Sequence, residues 1–179
     1  MSPRISPGGR TELGPLGWLL VRGLGLAART RPPNLFATLG KNPRLMWGWL
    51  MFAGRLMPFG SLARRETELV ILRVAHRRCC PYELEHHKKL GARANRSADE
   101  IARVTSDDTS HAGFSERERA LLRATDAILD TKDLPDALWA ELSAHLDEAR
   151  RIELVMLVAH YDMLATTIQV LRIAPDSAV

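Results

Sequence analysis

Cysteine is nearly absent from this chain of 179 residues: there are two, and they are adjacent, Cys79 and Cys80. That excludes a disulfide scaffold and a four-ligand structural zinc site, and it makes a reducing, cytoplasmic setting the expectation. No HExxH or CxxC ligand pattern occurs, so no metal and no cofactor is expected. No stretch offers the ~20 uninterrupted apolar residues of a membrane span. No segment sustains the period-two alternation of a half-buried strand. Charge of one sign is also lacking in the body of the chain. The formal charge of +4 sits in residues 1–33, where Arg4, Arg10, Arg22, Arg29 and Arg31 face the single acid Glu12, and the remainder is neutral. A neutral body lacks the clustered basic face that phosphate neutralisation needs, so no nucleic-acid partner is expected.

What is present is a globular composition, 46% apolar and 26% charged, in a chain long enough for one domain with a real core. Residues 1–33 read as a basic, Gly- and Pro-rich extension, expected to be disordered; a membrane-surface helix and a cleaved leader are the weaker alternatives. Residues 34–174 read as one all-α domain, and 175–179 as a tail. Asn34 and Asn42-Pro43 look like helix starts, and Pro58 with Gly60 like a stop. Ser61 is expected to open a helix to about Arg78, and Pro81 another closed at Gly91. Ser97 with Glu100, and Ser115 with Glu118, fit the capping box. Pro135 starts a further helix. The last runs from about Glu148 to Leu171, with more apolar surface than a small monomer needs, which points to an oligomer interface.

Residues 66–89 are the one chemically dense stretch. With Pro81 as first helical residue, Cys80 is the N-cap and faces free amides at the positive end of the helix dipole, with Arg77 and Arg78 close in sequence. These features favour the thiolate and make Cys80 a candidate nucleophile of lowered pKa. Glu83 and His87 follow at three and seven residues, on the same helical face. A carboxylate beside an imidazole suits proton transfer, and Glu68 on the preceding helix lies near enough to join. Glu83 equally fits a plain cap on the Cys80 amide. Cys79 reads as a small buried hydrophobe, His76 and His160 as packing histidines, and Glu85, Lys88 and Lys89 as a solvated face.

With those residues set out, the stretch from Arg65 to Gly91 resembles the core of the carboxymuconolactone decarboxylase and alkylhydroperoxidase-D (AhpD-like) superfamily. The hydroperoxidase branch carries Glu, then Cys-x-x-Cys twelve residues on, then His four after the second Cys. Glu68, Cys80, position 83 and His87 keep that spacing. The Asn34–Leu62 preamble, the Ser115–Asp126 helix, the Trp139 region and Glu153–Tyr161 extend the likeness to about residues 34–174. The resemblance implies an all-α, AhpD-like helical bundle that assembles as a dimer, trimer or hexamer. It also implies Cys80 as thiolate, with Glu68 and His87 as proton relay. The chain departs at position 83, where Glu stands in place of the second thiol, so the two-thiol peroxide cycle has lost a partner. The decarboxylase branch instead places a Glu four residues before the same His, as Glu83 and His87 are placed here.

Two enzyme readings and one binding reading follow. The first is cofactor-free proton transfer by Glu68, Glu83 and His87 on a small organic substrate, lactone-like or carboxylated. The second is a thiol-dependent peroxidase in which Cys80 attacks a hydroperoxide and a thiol reductant resolves the sulfenic acid. The third is a non-catalytic oligomeric binding protein of the same fold.

Overall fold

The computed structural model describes residues 2–28 and 33–176, and among them it contains no strand. Its helices are α1 (Arg10–Ala28), α2 (Asn34–Leu39), α3 (Pro43–Leu56), α4 (Arg64–Arg77), α5 (Pro81–Arg93), α6 (Ala98–Val104), α7 (Glu116–Thr131), α8 (Asp136–His145) and α9 (Glu148–Leu171). The chain divides into two compact units, residues 54–166 and residues 1–53 with 167–179, with the divisions falling inside α3 and α9.

In the smaller unit the expected disorder is corrected for residues 10–28, which form α1. Gly14, at φ 66°, interrupts this helix just before Pro15. It is nevertheless anchored: Leu13 and Val21 are buried in one cluster with Ala37 and Met46, against Trp18, Leu20, Phe36 and Leu50. Apolar residues at helical spacing outweigh the glycine penalty once they have a surface to cover. Gly40 lets Leu13 pack closely there, since a Cβ would lie 2.5 Å from Leu13 Cδ2. The Lys41–Glu12 ion pair (2.8 Å) and the Gly8 N–H to Ala37 carbonyl bond (2.9 Å) tie the segment down. Positions 1 and 29–32 of the extension, and 177–179 of the tail, lie outside the described residues.

The larger unit is organised around α4, in which every residue from Thr67 to Ala75 is buried. Leu69 and Leu72 pack with Val104, Phe114 and Leu122, and each such side chain removed from water contributes about 1.5–3 kcal/mol. Both capping boxes form as expected, on α6 from Ser97 and Glu100 and on α7 from Ser115 and Glu118. Asn42 caps α3, accepting from the Leu45 N–H at 3.3 Å. Three expected boundaries shift. Asn34 is the first residue of α2, with Pro33 as its cap. Ser61 does not open α4; its amide and that of Leu62 donate to the Glu153 carboxylate (2.7 and 3.0 Å), and the helix starts at Arg64. Gly91 does not end α5. It lies inside that helix, where a Cβ would sit 3.3 Å from Leu72 Cδ1, so glycine serves close packing of α5 on α4.

The turn between α4 and α5 is made by Cys79, at φ 48°. This corrects its reading as a buried hydrophobe: Cys79 is exposed and Cys80 is buried. α9 matches its expected span. By length and composition it is apolar enough to cross a membrane, but it buries Leu154, Leu157, Val158, Leu164 and Ala165, as a core helix does. Of the apolar excess behind the oligomer expectation, Ile152 and Met163 are solvent-exposed in the single chain, while Leu154, Leu157, Val158 and Leu164 are buried.

Candidate active site

Two sequence-local choices build the site. Glu68 lies near the start of α4, and Arg64 stands one turn before it. Pro81 opens α5, which places Glu83 in its first turn and His87 one turn further. Folding α5 back on α4 then brings the Glu83–His87 face onto Glu68. Glu68, Glu83 and His87 are all buried, as is Cys80.

His87 is the centre of this cluster. Its Nδ1 is 2.7 Å from Glu68 Oε2 and its Nε2 is 3.2 Å from Glu83 Oε2. Burial alone would favour the neutral ring. The hydrogen bonds and charges of the two carboxylates reverse that, and the imidazole is pushed up to about 9. At neutral pH the group is therefore an imidazolium between two carboxylates. Arg64 Nη2 lies 2.7 Å from Glu68 Oε1, without the alignment of a hydrogen bond, so Glu68 is held by two cations.

Cys80 is the N-cap of α5, as expected, but it is not an activated thiol. Burial pushes it up to about 11; the Glu83 carboxylate adds to this, and the amides of Glu83 and Tyr82 only partly oppose it. The two arginines expected to favour the thiolate are engaged elsewhere, Arg77 with Asp130 and Arg78 with Asp162 and the Leu129 carbonyl. The lowered-pKa expectation for Cys80 is thus overturned by desolvation and by the diversion of its cations.

Three further residues belong to the cluster. The Tyr161 ring stands edge-on to His87 (5.2 Å between centroids, 88°), and its hydroxyl donates to Met57 Sδ at 3.6 Å. His160 also stands edge-on to Tyr161 (5.1 Å), and burial holds it below the usual histidine range. Arg64 is absent from the sequence-derived site, though its place one turn before Glu68 is the signal that could have found it. Met57 and Tyr161 carried no local signal, because Met57 follows α3 and Tyr161 lies on α9, both remote in sequence from His87.

A second buried cluster sits further along α4 and was not foreseen. Arg73 Nε and Nη2 donate to the two oxygens of Asp126 (2.7 and 2.8 Å), and Arg73 Nη1 donates to the Ser106 carbonyl (2.7 Å). His111 Nε2 lies 3.0 Å from Asp126 Oδ2. Burial opposes ionisation of Asp126, but His111 and Arg73 outweigh it and lower its pKa. Among the described residues no group of three His, Cys, Asp or Glu side chains is arranged to hold a metal ion.

The comparisons bear on family and fold. The carboxymuconolactone decarboxylase family model matches residues 43–127, which span α3 to most of α7 and include the whole cluster on α4 and α5. No protein of curated function matches in sequence. Solved structures do match. One is an uncharacterized peroxidase-related protein from Ralstonia eutropha JMP134 with an alkylhydroperoxidase AhpD core (TM-score 0.83, 18% identity, 98% of this chain and 94% of that one). A second is an uncharacterized peroxidase-related protein from Silicibacter sp. TM1040 (TM-score 0.83, 13% identity, 99% and 95%). A third is the debrominase Bmp8, as a Cys-to-Ala variant in complex with 2,3,4-tribromopyrrole (TM-score 0.81, 19% identity, 99% and 94%). At these identities the likeness is one of fold. The chain thus carries a carboxymuconolactone decarboxylase family match over its site-bearing helices and shares an AhpD-like fold over nearly its full length.

Proposed function

We propose that this protein is a cofactor-free enzyme that moves a proton on a small organic substrate. The observation that supports it best is His87, buried with a carboxylate at each ring nitrogen. Such a ring is fixed in orientation and poised to pass a proton from one carboxylate side to the other. Glu83 is the base or acid on the α5 side, and Glu68, backed by Arg64, is the reservoir on the α4 side. Deuterium exchange from D2O into a panel of small ketones, keto acids and lactones, followed by proton NMR, tests this. Exchange or decarboxylation that survives Cys80→Ser and is lost in Glu83→Gln supports the reading; no exchange in any member overturns it.

A thiol reading has one specific support, the position of Cys80 at the N-terminus of α5 in contact with the Glu83 backbone. In that reading the thiol, raised to about 11 at rest, would lose its proton to Glu83 as it attacks a hydroperoxide or a halogenated ring, with an external thiol restoring it. The Cys-to-Ala debrominase complex shows a fold-mate studied with a halogenated pyrrole. Rapid consumption of an organic hydroperoxide or tribromopyrrole, lost in Cys80→Ser, would favour it over proton transfer.

A further inference from the structure

The relay leaves two buried donors of the same cluster with poor partners. The Tyr161 hydroxyl, on a side chain 5% exposed, reaches only the Met57 thioether, at 3.6 Å, and a thioether is a weak acceptor. Arg64 Nη1 is buried with no hydrogen-bond partner, while Nη2 faces Glu68. Both groups flank the relay: the phenol ring stands edge-on to His87 and Arg64 ion-pairs with Glu68. The donors of His87 itself are taken, since both ring nitrogens face carboxylates. Burial and the negative charge of Glu83 and Glu68 keep the phenol protonated well above its usual range, so Tyr161 is a donor and not a base.

We propose that Tyr161 Oη, assisted by Arg64 Nη1, binds the substrate oxygen that gains negative charge during proton transfer. This rests on the proton-transfer reading and names its substrate class, a compound with a C–H bond next to a carbonyl. The C–H bond breaks, its proton goes to a Glu83 carboxylate oxygen, and its electron pair forms the new C=C bond. The carbonyl π pair moves onto oxygen, giving an enolate that accepts from Tyr161. Return of the proton to carbon completes the cycle, with no oxidant or reductant. A buried O–H aimed at a weak acceptor gains most when a charged oxygen replaces it, which is how such donors favour a transition state over a ground state.

The test uses 4-nitrophenolate as oxyanion probe, its absorption titrated with the full-length protein at pH 8. The wild-type chain is expected to bind it, with affinity falling about tenfold or more in Tyr161→Phe and by a smaller factor in Arg64→Met. In the exchange assay Tyr161→Phe should lower kcat about 10²-fold with KM little changed. The His87 titration midpoint, read by NMR, should stay in place, because the ring that packs on it is retained. A purely structural tyrosine would leave probe binding and kcat alone. Equal binding by wild type and Tyr161→Phe, or no binding by wild type, overturns the proposal. Glu83→Gln separates the two ideas. Retained probe binding with exchange abolished supports both, whereas undiminished exchange in that variant removes Glu83 as the base and leaves the oxygen site standing.

Discussion

Glu68 and Arg73 lie five residues apart on α4, both without solvent exposure, and each anchors a buried cluster that contains a histidine. Around Arg73 one carboxylate, Asp126, is surrounded by donors: a two-pronged guanidinium and His111. Around Glu68 the arrangement is inverted, with one imidazole flanked by two carboxylates. The first is a saturated brace, in which a fork-shaped cation matches a fork-shaped anion and carbonyls take the remaining N–H groups. The second keeps a titratable proton between competing acceptors and leaves Arg64 Nη1 unpaired. Saturation holds loop 105–114 against α4 and α7; shared protons suit chemistry.

The contrast is broken most severely by removing the guanidinium. Arg73→Met strands Asp126 and His111 in the interior and should destabilise the protein by about 3–5 kcal/mol in urea unfolding. The exchange activity per folded molecule should be little changed. Glu83→Gln should do the reverse. It should cost ~10²–10⁴-fold in exchange rate, with a smaller loss of unfolding free energy than Arg73→Met.

Acid and alkali should attack the two clusters separately. The Asp126 pKa is lowered, so its contribution is present above the unfolded carboxylate value and is lost as pH falls through the folded one. The His87 pKa is raised to about 9, so its contribution is full below pH ~6.5 and is lost as pH rises through about 9. Urea midpoints across pH should show the alkaline loss shift downward in Glu83→Gln and the acid loss remain. Alkylation by iodoacetamide at pH 8 should label exposed Cys79 well before Cys80, which is buried and raised to about 11. Equal rates by mass spectrometry would show Cys80 to be an available nucleophile. The smallest effect belongs to the capping box of α6, where Ser97→Ala should cost about 1 kcal/mol and leave both clusters intact.

Much of the site was legible because it is local. Cys80, Glu83 and His87 share one face by helical spacing, and Pro81 fixes where that helix begins. Glu68 could be joined to them because only a short turn separates its helix from theirs. Residues from distant segments were not legible. Tyr161 enters from α9 and Met57 from the segment after α3, and Asp126 meets Arg73 across 53 positions. The charge state of Cys80 was not legible, because sequence distance puts Arg77 and Arg78 beside it, whereas the fold turns them toward Asp130 and Asp162.

By itself the sequence determined the all-helical class, the capping boxes, the span of α9 and the helical face that carries Glu83 and His87. Each depends on interactions within a turn or two of chain, where spacing dictates geometry. Only the tertiary structure decided that Cys80 is desolvated, that His87 stands between two carboxylates, and that α1 is anchored by Leu13 and Val21. Those outcomes depend on burial and on charges brought from remote segments, and both desolvation and electrostatic coupling are properties of the packed interior.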